Sequence, residues 1–186
     1  MNLLVGLTPP DHVRRRAVDV RDAVPRPAGE LDVLGPEALV VPLIRLGNLT
    51  APNAASLCEH LGRRVAELGR TPRLRLKGAW ALEGDDPAVG LRLDGDVDEI
   101  AGIARALPPM VAELDYFVDR RSFQPYLPLG TITASTTLPY LEHLVAALDE
   151  FESTAWDVHE IAVMARTWRS DGGTGFRCMA PLATTR

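Results

Sequence analysis

This sequence predicts an α+β fold, and three observations carry the prediction. Period-two apolar runs stand beside one another across short turn signals, as the strands of hairpins do. The clearest pair is "RLRLKGAWAL" (73–82) and "AVGLRLDG" (88–95), separated by "EGDDP". Between such pairs lie stretches with apolar residues at helical spacing, as with Ala54, Leu57, Leu61, Val65 and Leu68. Finally, "VVPLIRLGNLTAP" and "YLPLGTITASTTLP" repeat one order: strand, Pro-Leu, Gly, Thr, Pro, then a helix. Two related lobes about a pseudo-twofold axis, with the two proline strands facing each other, explain that echo.

Taken in order, Asn2 to Leu7 reads as a strand, and "TPPD" turns into a helix from about His12 to Ala23 with Asp11 as N-cap. The stretch from Pro25 to Gly35 is rich in Pro and Gly and reads as loop. A second strand covers Ala38 to Leu46, and a helix follows from about Asn53 to Leu68. After the hairpin comes a helix from about Val97 to Leu114, which "LPPM" (107–110) is expected to kink or split. Tyr126 to Ile132 is the next strand and Leu138 to Phe151 an amphipathic helix. A long strand, Trp156 to Trp168, turns through "SDGGTG" into Phe176 to Leu182.

The chain has 186 residues, 46% of them hydrophobic and 24% charged, which is ordinary for a soluble globular protein. A net charge of −5 argues against general affinity for nucleic-acid phosphates, though a local basic cleft is compatible with it. Of the 20 basic residues only Lys77 is lysine, a bias typical of a G+C-rich bacterial genome. Cys58 and Cys178 form no CxxC pair, so neither a zinc site nor a disulfide framework is suggested. The opening "MNLLVGLTPP" is too short and lacks basic flanks for a signal peptide, and no run reaches the length of a membrane span. A cytoplasmic bacterial protein with reduced thiols and no membrane partner is the expectation.

Two strands carry an oddity. Pro42 interrupts "EALVVPLIRLG" and Pro128 interrupts "SFQPYLPLGTI". A proline has no N–H to give a ladder, so each belongs on an edge or at a bulge.

The flanks of these strands, and the order of elements, resemble the 2H phosphoesterase superfamily, in its bacterial 2'-5' RNA ligase or RNA 2',3'-cyclic phosphodiesterase (LigT-like) group. "LLVGLTPPDHVRR" resembles that group's opening strand and helix, and "PEALVVPLIRLGNLT" its first site strand. "RRSFQPYLPLGTI" resembles its second, and "WDVHEIAVMART…GGTGFRCMAPLA" its final hairpin. The resemblance covers nearly the whole chain. It implies one bilobal domain spanning 1–186, with two antiparallel sheets facing a central cleft and helices outside.

The group carries one His-x-Thr motif in each lobe, and here both are degenerate. Val40 and Pro42 occupy the first pair of positions, Tyr126 and Pro128 the second. Strand residues i and i+2 point to the same face, so each pair enters one cleft. The resemblance implies that the family's histidines act as general base and general acid, that its threonines hold phosphate oxygens, and that no metal or cofactor takes part. Val40 cannot exchange a proton, and an unperturbed phenol titrates near ~10, too high for a base near neutrality. Losing positioned acid–base groups forfeits ~10²- to 10⁴-fold per group. The family's mechanism therefore cannot run on these residues.

Other residues offer no replacement. His12, His60, His143 and His159 form no HxH or HExxH pair, and a helical surface histidine is ordinarily a solvated side chain. Ser122 and Ser135 have no adjacent His and Asp. "GDDP" (84–87) is turn chemistry at a hairpin tip. "SDGGTG" lacks the following helix that a phosphate loop uses. Trp80, Trp156 and Trp168 read as core or edge packing rather than base-stacking platforms. Arg120 and Arg121 precede the second site strand and suit either a phosphate or a solvated loop.

The expectation is a catalytically inactive homologue whose cleft binds a nucleotide or other small ligand. That cleft is assigned Val40, Pro42, Tyr126, Pro128 and Arg121. Its floor should be apolar, with the Tyr126 hydroxyl as its main polar feature and a ligand less directed by phosphate. Two alternatives remain: a phosphodiesterase with a rearranged site around Tyr126 and Arg120–Arg121, and a structural protein whose cleft is filled.

Overall fold

A computed structural model describes residues 1–82, 87–118, 122–168 and 174–185. The chain order is β1 (Asn2–Leu7), α1 (Asp11–Ala23), β2 (Leu31–Val33), a 3-10 turn (Pro36–Ala38), β3 (Val41–Asn48), α2 (Ala51–Ala66), β4 (Arg73–Leu82) and β5 (Ala88–Gly95). It continues with α3 (Val97–Ala112), β6 (Tyr126–Ile132), α4 (Leu138–Asp149), β7 (Trp156–Asp157), β8 (Glu160–Trp168) and β9 (Thr174–Ala183). The strands make two antiparallel sheets, ordered β3-β1-β8-β9 and β2-β6-β5-β4-β7. This is the α+β architecture expected, with mixed helices and hairpins around two facing sheets.

The internal echo is real in three dimensions. β1 pairs β3 as β5 pairs β6, and each proline strand leads into a helix of similar build. Thr50 caps α2 with Pro52 in the first turn, and Thr137 stands before α4 with Pro139 in the same place. Proline is tolerated there because the first helical N–H groups have no intrahelical partner. Glu30, a buried carboxylate from the other end of the chain, accepts hydrogen bonds from the Thr137 backbone N–H and hydroxyl and so completes the α4 cap.

One connected cluster of buried apolar side chains draws on both sheets and all four helices, from Leu3 and Val13 to Leu144 and Leu182. A separate small cluster of Leu4, Val40, Ala162 and Met164, with Phe176 packed against it, lies on the other face of the first sheet. Period-two alternation explains the division. In β1, Leu3, Val5 and Leu7 face the main core while Leu4 faces away.

Several boundaries differ from the sequence reading, each for a local reason. Asp11 is not the cap of α1; Pro10 holds that position, and Asp11 pairs with Arg14 and Arg15 one turn on. The second strand starts at Val41, because Pro36–Ala38 close a 3-10 turn first. The Pro/Gly-rich loop contains β2, which pairs with β6. α3 is not split by Pro108 and Pro109. The two missing N–H groups fall in its last turns, while buried Ile100, Ile103, Leu107, Met110 and Val111 hold the helix by packing. The long strand from Trp156 is two: β7 joins the second sheet and β8 the first, and the chain changes sheets at Val158–His159. The "GDDP" and "SDGGTG" turns lie largely outside the described residues.

Candidate ligand cleft

Both prolines sit where the ladder slips. In the β1–β3 pair the register shifts between Val5 and Gly6, and Gly6 faces Pro42. In the β5–β6 pair it shifts between Val89 and Gly90, and Gly90 faces Pro128. A bulge tolerates a residue that cannot donate, and β3 is also an edge strand. Glycine opposite each proline has its own cause, close approach. A Cβ on Gly6 would lie 2.4 Å from Val40 Cγ1, and one on Gly90 2.1 Å from the Leu127 carbonyl oxygen. The two halves of the molecule solve the same problem in the same way.

Behind the second bulge, Arg21 reaches from α1 and donates through Nη1 to the carbonyls of Leu34 (2.6 Å) and Leu129 (2.9 Å). Its side chain is buried and its Nε pairs with Asp22 at 2.8 Å. This clamp fixes the strand carrying Tyr126 and Pro128 against α1.

Val40, Pro42, Tyr126 and Pro128 all line one cleft between the sheets, with a volume of about 530 Å³. Arg121 lies outside the described residues, as does Arg120. On the first-sheet side the wall is Leu4, Val40 and Phe176; on the second it is Ala88, Tyr126, Pro128 and Thr131. Tyr126 is 6% exposed and stacks on Trp80 with ring centroids 6.0 Å apart and planes 17° apart. The Arg92 guanidinium lies 5.5 Å from the Trp80 centroid on that stack. Trp80 thus packs against both the Tyr126 ring and the Arg92 guanidinium, which face each other across β5 and β6.

The Tyr126 hydroxyl is not the main polar feature of the cleft. Arg45, Arg166, Asp32, Gln124 and Ser122 also line it. The sequence reading centred on the motif positions and passed over the two arginines. Alternation in "EIAVMARTW" (160–168) carried the signal for one of them. It sets Arg166 on the same face as Ala162 and Met164.

None of the four histidines lines this cleft. His12 Nε2 contacts Thr154 Oγ1 at 3.1 Å, and His60 Nε2 lies 3.0 Å from the Met110 carbonyl and 3.1 Å from Glu113. His143 is exposed on α4. His159 lines a smaller pocket of about 270 Å³ with Thr8, Asp157 and Glu160, at the other end of the first sheet. Burial pushes the Cys58 and Cys178 thiols above their usual range, which keeps them protonated. Among the described residues no group of His, Cys, Asp and Glu side chains is placed to hold a metal.

Trp80 is packing, as expected, and Trp156 is half-buried. Trp168 departs from that expectation. It stands 72% exposed at the end of β8, beyond the last core residue of the strand.

This arrangement of sheets, helices and central cleft is the LigT-like 2H phosphoesterase fold. Escherichia coli LigT complexed with 3'-AMP superposes with a TM-score of 0.75 at 18% identity, over 100% of this chain and 98% of that one. TT0787 of Thermus thermophilus gives 0.74 at 20% identity, over the whole of both chains. E. coli LigT complexed with NADP+ gives 0.71 at 17% identity, again over 100% and 98%. No protein-family model matches the chain, and no curated protein matches its sequence. At such identities the likeness establishes the fold, and the chemistry must be argued from the residues.

Proposed function

We propose that this chain is one bilobal unit of the 2H phosphoesterase type that has lost catalysis and kept its cleft as a binding site for a nucleotide or similar small ligand. The observation that carries the reading is that Val40, Pro42, Tyr126 and Pro128, which resemble the family's motif positions, line the same cleft and supply no imidazole there. An aliphatic residue and two prolines neither move a proton nor donate to a phosphate oxygen. The family resemblance therefore predicts a scaffold without its general acid and base, a loss of ~10²- to 10⁴-fold for each.

Binding is supported by the open cleft itself, which argues against a purely structural chain with a filled centre. Arg45 and Arg166 supply cationic groups for an anionic moiety, and Leu4, Val40, Phe176 and Tyr126 an apolar and aromatic bed for a ring. E. coli LigT has been crystallised with 3'-AMP, ATP and NADP+, and the proposal extends that ligand class to this cleft. Among the described residues no helix is long and apolar enough to cross a membrane. A cytoplasmic setting belongs to the proposal and fits the two free thiols.

Calorimetric titration with 3'-AMP tests the binding half. Binding that weakens about tenfold or more in Arg45→Ala and Arg166→Ala supports the reading, and no heat at any concentration contradicts it. Turnover of a 2',3'-cyclic phosphate RNA end that disappears in Tyr126→Phe would revive the enzyme with a rearranged site.

A further inference from the structure

The cleft does not end at its own wall. Along β8 the residues Ala162, Met164, Arg166 and Trp168 fall on one face at two-residue spacing. Arg166 lines the cleft together with its cross-strand partner Phe176, and Trp168 stands about 7 Å further along the strand. The Arg166 guanidinium lies over the Trp168 ring, 4.6 Å from its centroid. One face of the indole is thereby braced, yet the residue stays 72% exposed. A large aromatic surface left in water costs free energy unless something covers it.

The opposite end of the same strand has the opposite character. There Glu160 lines the smaller pocket beside Ala162 and Met164, together with Asp157, whose carboxylate is paired with Arg73 at 3.0 Å, so that Glu160 carries the negative charge of this end. A ligand whose phosphates run beyond the main cleft is repelled from that end and attracted toward Arg166. The course that charge favours leads past Trp168.

We infer that Trp168, braced by Arg166, is a stacking platform for a second ring of the ligand, so that the cleft selects a dinucleotide or short single-stranded oligonucleotide over a mononucleotide. This rests on the nucleotide reading of the cleft and adds length and direction to it. Base–aromatic stacking is sequence-tolerant, and the effect of removing one such aromatic is about tenfold in affinity. The overall acidity of the chain agrees with a short anionic ligand held at one local cationic edge rather than with general nucleic-acid affinity.

The test is a pair of dissociation constants, for 3'-AMP and for the adenylate dinucleotide pApA, measured calorimetrically on the full chain and on Trp168→Ala and Trp168→Phe. The wild-type chain is expected to bind pApA about tenfold or more tightly than 3'-AMP. Trp168→Ala removes most of that ratio, and Trp168→Phe, which keeps an aromatic face, retains most of it. If 3'-AMP binds but pApA is not preferred, or the preference survives Trp168→Ala, the platform is wrong while the nucleotide reading stands. If neither ligand binds, the nucleotide reading itself fails. Sedimentation showing self-association that Trp168→Ala abolishes would assign the exposed ring to a second copy of the chain and overturn the proposal.

Discussion

Gly90 and Pro128 face each other across β5 and β6, and the glycine is the less replaceable of the two. A methyl group at position 90 would press on a backbone carbonyl, which cannot swing aside as a side chain can. Gly90→Ala is expected to destabilise the chain by about 3 kcal/mol in chemical denaturation, at the upper end of overpacking costs. Gly62 in α2 is the contrast, because nothing lies within 4 Å of an added Cβ there. Gly62→Ala should stabilise by about 0.5–1 kcal/mol, since only the helical preference changes. At this scale the sequence was informative where a residue type has a single use. A proline inside an apolar run had to mark an edge or a bulge, and both did. It was uninformative where one residue type has many uses. Nothing in an arginine-rich composition singled out Arg45, and Trp168, like Trp80 and Trp156 on a predicted strand, reads as core or edge packing.

Helices and strands owe their placement to partners distant in sequence, and that is where their boundaries escaped the sequence reading. The N-terminus of α4 is completed by Glu30, more than a hundred residues earlier, so no local capping pattern around Thr137 announced it. Glu30→Ala is expected to cost about 1 kcal/mol from the lost cap, since Thr137 itself is exposed and water can reach its freed N–H and hydroxyl. Its signature in hydrogen exchange should be faster opening of the first turn of α4, with α2 unaffected. Arg21→Ala should cost about 3 kcal/mol, because two carbonyls lose a buried charged donor and Asp22 loses its partner. The switch of sheets between β7 and β8 was equally hidden. The apolar alternation slips by one residue where His159 and Glu160 adjoin, but such a slip does not name a change of sheet; the pairing of β7 with β4 and of β8 with β1 divides the run.

Across the whole molecule, the acid response follows from charge pairs on the sheet surface. The Arg75 guanidinium hydrogen-bonded to Asp94 holds that carboxyl below the usual carboxylate range. A depressed folded pKa contributes stability that is present above the unfolded value of about 4 and lost as pH falls through the folded one. Asp94→Asn should lower neutral stability slightly and flatten the acid limb, with variant and wild type converging as pH falls below about 4. High salt should shrink the difference, since both groups are well exposed. The larger consequence of the architecture is functional. The fold brings Val40, just ahead of β3, and Pro42 on β3 together with Tyr126 and Pro128 of β6 into one cleft whose arginines come from elsewhere on β3 and β8. The central claim, a cleft that binds without catalysing, is tested most directly by ³¹P NMR of adenosine 2',3'-cyclic phosphate titrated with the purified chain. The cyclic phosphate resonance is expected to shift or broaden on binding, with no phosphomonoester signal growing over the longest incubation. A monoester signal that accumulates with the wild-type chain, and is lost in Tyr126→Phe, would contradict it.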